Sequence, residues 1–272
     1  LSKLIFEGPQ EELTLTTNAQ PALLATSIAL LEYFKESGIT PDYCAGHSLG
    51  EYTALVASGA FSFAEGVYAV HKRGEFMEIA VPNGEGTMAA VLGLDSEKLM
   101  AVTDEITSGG NLVQLANINC PGQIVISGTR KGIELASVKA KEAGAKRVLP
   151  LEVSGPFHSE LMKPAADKLE TVLDGMNIQD AKVPVIANVT AEEMSQAADI
   201  KAKLIQQLYS PVQWEKSVQK MLDLGVTTFI EIGPGKVLSG LVKKVNRRVT
   251  TYAVSDETTC KEVIDAIREG SK

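Results

Sequence analysis

Five consecutive residues, Gly46-His47-Ser48-Leu49-Gly50, place a serine between two glycines in the pattern G-x-S-x-G. Residues 42–45 read as a short strand, and a helix pattern follows to about Ser58. Strand, turn and helix in that order lift a serine clear of the chain. The glycines tolerate a crowded turn, and the helix start aims N–H groups and its positive dipole end at the serine oxygen. A hydroxyl is a weak nucleophile and needs a base. Three histidines are available, His47, His71 and His158. His47 adjoins Ser48, and neighbouring side chains on a sharp turn point apart, so it reads as a residue lining the pocket. His71 falls in a helix pattern and reads as structural or surface. His158 lies in VSGPFHSELMKP, after a strand and a Gly-Pro loop. Catalytic loops collect at the carboxyl ends of strands in doubly wound sheets. For His158 both a dyad with Ser48 and a satisfied structural histidine stay open.

Other apparent motifs fail. Gly84-Glu85-Gly86-Thr87-Met88-Ala89 fits G-x-G-x-x-A but precedes a strand, the wrong order for a dinucleotide turn. Gly233-Pro234-Gly235-Lys236 lacks the spacing of a phosphate loop and reads as a strand-to-helix turn. Lys243, Lys244, Arg247 and Arg248 cluster at a helix end. They complement the helix dipole, or they form a landing patch for an acidic partner, with Lys146 and Arg147 as a second candidate surface.

The 272 residues carry 26 Lys+Arg against 34 Asp+Glu, a net charge of −8. That balance speaks against binding nucleic acid through its phosphates. No apolar run is long enough to span a membrane, and residues 1–20 do not read as a signal peptide, so neither is expected in this sequence. Cys44, Cys120 and Cys260 are odd in number and far apart, so neither a disulfide framework nor a zinc site is expected. A reducing cytoplasm is the expected compartment.

The elements that must carry Ser48 and His158 alternate. Helices are expected over 20–37, to about Ser58, and over 62–80. Residues 87–153 run β-α-β-β-α-β, the ferredoxin-like order, with Ser96 as an N-cap and Pro121-Gly122 as a turn. Then follow a helix near 160–174, a strand over 183–189, helices near 199–209 and 214–224, a strand over 227–232 and a helix to about Val245. The alternation predicts an α/β fold with a mostly parallel sheet covered on both faces. The body is expected over 1–86 and 154–272, with an inserted subdomain over 87–153.

GHSLGEY, KRGEFM, GPFHSELMKPAADKL, QLYSPVQW and EIGPGKVLSGL occur in one order along nearly the whole chain. In these motifs the sequence resembles the malonyl-CoA:acyl carrier protein transacylases of fatty-acid synthesis. The resemblance implies an α/β-hydrolase-like body with a ferredoxin-like insert. It implies Ser48 as nucleophile, His158 as base, Arg73 as the grip on the malonyl carboxylate, and Gln207 as the residue orienting the histidine through its carbonyl. The Leu49 N–H is implied as one oxyanion donor, and Leu49 with Phe157 accompanies malonyl preference. Malonyl-CoA and acyl carrier protein are the implied partners, with no metal or redox cofactor, and a monomer is expected. The bland alternative for Arg73 is a helix-surface arginine with a solvated head. The family opens on a strand ending in G-Q-G-S-Q that supplies a second oxyanion donor. Nothing before Gln10 matches it, so that strand is expected to be absent from this sequence. Two rivals stay in view, a serine hydrolase such as a thioesterase and a non-catalytic docking module.

Overall fold

The computed structural model describes residues 1–270, a mixed α/β protein. Helices α1 (Ser2–Glu7) and α2 (Gln10–Leu13) precede α3 (Thr16–Lys35). The apolar spacing places the start of α3 four residues late, because its first turn is polar and Pro21 sits within the helix. A proline has no N–H for the carbonyl four residues back. His71 Nδ1 meets that free carbonyl, on Thr17, at 3.2 Å, which gives His71 a structural bond between helices.

Strand β1 (Cys44–Ala45) leads into α4 (Leu49–Ala57) and then α5 (Phe63–Ile79). Helix α5 opens on a capping box: Ser62 Oγ accepts from Glu65 N, and the Glu65 carboxylate accepts from Ser62 N. Its middle presses on α3 at Gly74, where a Cβ would come within 2.8 Å of Thr17 Cα.

Strand β2 (Gly86–Leu92), α6 (Ser96–Ser108), β3 (Val113–Cys120), β4 (Gln123–Thr129), α7 (Arg130–Glu142) and β5 (Arg147–Pro150) come next. Their strands form an antiparallel sheet in the order β3-β4-β2-β5. Ala89, Val91, Ile124 and Ile126 pack on Leu99 of α6 and Ile133 of α7, and Met88, Ala116 and Val125 gather on the other face near Phe157. The N-cap of α6 is Asp95, not Ser96: its side chain accepts from Lys98 N at 2.9 Å, and Ser96 is the first helical residue. The edge of β3 is stitched to the rest of the protein by Ile118 N to Val212 O (2.9 Å) and Val212 N to Ala116 O (2.8 Å).

After a 3-10 turn over Glu160–Met162 come α8 (Lys163–Asp174), β6 (Val185–Ile186), β7 (Glu193–Met194), α9 (Ala197–Gln207), α10 (Trp214–Asp223), β8 (Thr228–Ile232), α11 (Val237–Val245), β9 (Thr250–Val254) and α12 (Glu257–Gly270). The expected mostly parallel sheet is not continuous. Among the described residues, parallel ladders occur only as β1 with β6 and as β8 with β9, and β7 joins β6 antiparallel. The strand expected over 183–189 keeps its ladder at Val185 and Ile186 alone. Pro184 offers only its carbonyl, to Cys44 N, and Asn188 is drawn out of the ladder toward the loop after β1. The core beneath these pieces joins Leu24, Tyr52, Leu55, Val70, Leu169 and Leu204 from five helices. Among the described residues no helix is long and apolar enough to cross a membrane.

Candidate active site

Ser48 sits at the N-cap of α4 with φ +53° and ψ −111°. A non-glycine residue held there costs about 1–3 kcal/mol and persists only where its surroundings over-determine it. Gly46 is one such constraint, because a Cβ there would overlap the carbonyl of Gly50. Gly50 itself has open space where a Cβ would stand, so only the first glycine of the motif is demanded by crowding. The second constraint is Asn188. Its Oδ1 accepts from Ser48 N at 2.7 Å, and its Nδ2 donates to Gly46 O at 2.7 Å. Ser48 makes no side-chain cap bond, so its Oγ faces outward from the turn.

There Oγ lies 2.7 Å from His158 Nε2. The other ring nitrogen, Nδ1, is 2.9 Å from the backbone carbonyl of Gln207 at the end of α9. A carbonyl only accepts, so Nδ1 carries the hydrogen and the Nε2 lone pair receives the serine O–H. Of the two readings left open for His158, the geometry is that of a serine–histidine dyad. His158 is buried and has φ +57°. Burial, followed by the charge of Arg73, pulls its pKa down to about 3, so the imidazole is neutral at physiological pH.

Arg73 comes from α5 and is 1% exposed, which removes the solvated-head alternative. Its Nη1 donates to Gln20 Oε1 at 2.7 Å. Its Nη2 donates to Gln207 Oε1 at 2.9 Å and to Ser48 Oγ at 3.1 Å. The guanidinium lies 5.5 Å from the centre of the Tyr52 ring. Its Nε–H has no hydrogen-bond partner among the described residues, so one buried donor of the guanidinium is unspent. A serine activated by a neutral imidazole, next to a desolvated cation, suits the transfer of an acyl group that carries its own anion.

Glu51, Asn188 and Gln20 escaped the sequence reading. Glu51 is fully buried in the first turn of α4. Desolvation pushes its pKa up to about 7, against bonds from Asn188 and Gln207 and the charges of Arg73 and Lys203. The spacing Ser48-x-x-Glu51 is a capping-box signal that could have marked it. Nothing local marks Asn188 in an apolar run or Gln20 ahead of a helix proline.

The remaining candidates stand apart from the dyad. His47 Nε2 pairs with Asn119 Oδ1 at 2.8 Å, and its ring lies 5.7 Å from that of Trp214. Burial lowers its pKa, opposed by the Asn119 bond. Leu49 is the first helical residue of α4, so its N–H has no partner within the helix. In the basic cluster, Lys244 Nζ donates to Gln123 Oε1 at 2.9 Å and Lys243 Nζ donates to the Val249 carbonyl. Two of the four cations are thus tied to the protein's own acceptors, while Arg247 and Arg248 are exposed beyond the helix end.

The acyl transferase domain family matches residues 1–269. A malonyl CoA-acyl carrier protein transacylase of Bacillus subtilis (strain 168) is 71% identical over 269 residues, which span 99% of this chain and 85% of that protein. One from Staphylococcus aureus (strain MRSA252) is 49% identical over 92% of this chain and 80% of its own length. Among solved structures, an acyl-carrier-protein S-malonyltransferase from Burkholderia pseudomallei superposes with a TM-score of 0.94 at 46% identity, over 97% of this chain and 86% of that one. A malonyl-transacylase solved in complex with its type II PKS acyl-carrier protein superposes equally well, at 0.94 and 42% identity, over 97% and 86%.

Proposed function

This chain belongs to the acyl transferase domain family, and from that membership and the geometry around Ser48 we infer that it moves a malonyl group from malonyl-CoA to acyl carrier protein. It is an acyltransferase of fatty-acid synthesis, and those two molecules are its partners. The observation that carries the residue roles is the buried guanidinium of Arg73, 3.1 Å from the Oγ that faces His158. A thioesterase acting on neutral acyl groups has no use for that cation.

Ser48 is the nucleophile. Its proton passes to His158 Nε2 as Oγ bonds to the thioester carbon. The carbonyl oxygen becomes an oxyanion at the start of α4, where the Leu49 N–H and the helix dipole oppose its charge. The oxyanion then collapses, the C–S bond breaks, and the departing coenzyme A sulfur takes the proton from His158. In the second half, the carrier-protein thiol gives its proton to His158 and attacks the malonyl-serine ester, and Ser48 recovers the proton as it leaves. The Gln207 carbonyl keeps His158 in the tautomer that both halves require. Arg73 holds the free malonyl carboxylate through its unspent N–H groups, a fork that an ammonium cannot copy. His47 shapes the wall beside Ser48. The reaction calls for no metal or redox group, and the reducing cytoplasm is the compartment that suits free thiol acceptors.

The same reading describes the body as α/β-hydrolase-like and residues 87–153 as a ferredoxin-like insert. The order β3-β4-β2-β5 and the β-α-β-β-α-β succession support it. The test is transfer itself: malonyl-CoA with pantetheinylated acyl carrier protein should yield malonyl carrier protein and free coenzyme A in equal amounts. Release of free malonate as the main product would point to the hydrolase.

A further inference from the structure

Helix α4 begins with the spacing of a capping box, Ser48-Leu49-Gly50-Glu51, yet does not make one. In α5 the same spacing closes reciprocally between Ser62 and Glu65. In α4 the serine side chain is turned to His158, and Asn188 Oδ1 takes the serine N–H that the glutamate would otherwise accept. Glu51 is released from the box and lies fully buried beneath the turn. Its Oε1 accepts from Asn188 N at 3.1 Å, and its Oε2 accepts from Gln207 Nε2 at 2.5 Å. These two partners hold the rest of the site. Asn188 bonds Ser48 N and Gly46 O, on either side of His47 in the turn that leads to the nucleophile. Gln207 offers its backbone carbonyl to His158, its Oε1 to Arg73, and its Nε2 also to Ser48 O at 2.9 Å.

A buried carboxyl is costly and would serve capping no worse at the surface, as Glu65 does. Here it joins two chain segments, the loop after β6 and the end of α9, whose direct hydrogen bond among the described residues is a long 3.4 Å contact between Gln207 Nε2 and Asn188 Oδ1. We propose that Glu51 is a positioning residue for the acyl transfer, clamping Asn188 and Gln207 so that the nucleophile turn, the base and the carboxylate grip share one rigid frame. This inference rests on Ser48 being the acylated residue.

Glu51→Gln tests it with little change of shape. A carboxylate presents two acceptors to the two donors, whereas an amide presents one acceptor and one donor, so one of the two bonds becomes a donor–donor contact. The measurement is rapid-quench acylation by malonyl-CoA, with the acylated fraction read by intact mass, so that rates are counted per serine that labels. A destabilised but otherwise normal protein labels fewer serines at the same rate. The expected result is a saturated rate constant per serine lower by about ten- to a hundred-fold, the scale of a misplacement near 1 Å. If Glu51→Gln yields no folded protein, Glu51→Asp replaces it: it keeps both acceptors but is too short to reach both donors, and the same fall is expected. A saturated rate per serine equal to wild type, in whichever variant folds, overturns the proposal. Absence of label on wild-type Ser48 overturns the acyl-serine assignment beneath it, and the two failures are separate readouts.

Discussion

Replacing Arg73 by alanine changes two quantities that the structure keeps distinct. The first is stability. The side chain is wholly buried, and its loss leaves Gln20 Oε1 and Gln207 Oε1 without their donors. Each buried acceptor left unpaired costs about 1–3 kcal/mol, so the variant should unfold at lower urea by about 2–6 kcal/mol, less whatever the removed charge returns in desolvation. The second is specificity. With malonyl bound, the truncation strands a desolvated carboxylate, at about 2–5 kcal/mol. At about 1.4 kcal/mol per decade, kcat/KM for malonyl-CoA should fall by roughly thirty-fold to several-thousand-fold. Acetyl-CoA brings no carboxylate, so its transfer per folded site should hold or rise. Arg73→Lys should restore part of the malonyl rate, since the charge returns without the fork. The assay runs both thioesters side by side on protein normalised by titration of the labelled serine. If malonyl and acetyl transfer fall by the same factor, Arg73 is a structural cation and not the carboxylate anchor.

Three further outcomes follow from the same geometry. His158→Ala should slow acylation at neutral pH and recover partly at higher pH, where hydroxide can stand in for the base; a mutant with wild-type rates across that range would show that another group takes the proton. Stability should respond to pH through two buried groups of opposite sign. Glu51, raised to about 7, stabilises the fold below the ordinary carboxyl range and loses that contribution as pH rises through 7. His158, lowered to about 3, contributes above the ordinary imidazole value and loses that as pH falls toward 3. Each can contribute up to about 1.4 kcal/mol per pH unit, and they oppose each other between about 4.5 and 6.5. Glu51→Gln removes one side, so its urea-unfolding free energy should climb with pH across that window more steeply than wild type; parallel curves would refute the assignment. Changing Arg247 and Arg248, the exposed cluster members that, unlike Lys243 and Lys244, are not tied to the protein's own acceptors, to Glu should raise KM for acyl carrier protein and weaken its salt dependence, with a smaller change for malonyl-CoA; an unaltered carrier KM leaves the cluster as helix-end solvation.

Much of the site was legible because its chemistry is written in short segments. Gly46 to Gly50 announces a nucleophile turn through one required glycine and a helix start. His158 announced only a loop after a strand, and its pairing with Ser48 depends on a fold that closes 110 positions. Arg73 was ambiguous, since a helical arginine reads alike whether solvated or buried. The Gly74 contact, which seats α5 against α3 beside Gln20, decides it. Asn188 was missed because its bonds go to backbone groups of a distant segment, which leave no pattern in composition or spacing. Glu51 was missed because its capping-box spacing points to Ser48 and not to Asn188 and Gln207, the partners it binds. Strand lengths were overstated for a related reason. The apolar run over 183–189 looks like a full strand, but Asn188 is used by the serine turn, and the ladder stops at Ile186. The elements after Val245, β9 and α12, were not read at all, although the ladder of β9 on β8 is the longer of the two parallel ones.

Under the proposed function, Ser48 carries the malonyl group between two thiols. Wild-type protein mixed with malonyl-CoA, quenched and weighed intact, should gain one malonyl group, mapped to Ser48 by peptide mass, and lose it when pantetheinylated acyl carrier protein is added. Ser48→Ala should gain none while still unfolding in a cooperative urea transition, which shows that it is folded. A malonyl adduct on the Ser48→Ala protein, or transfer to carrier protein with no adduct on the wild type, would contradict the account.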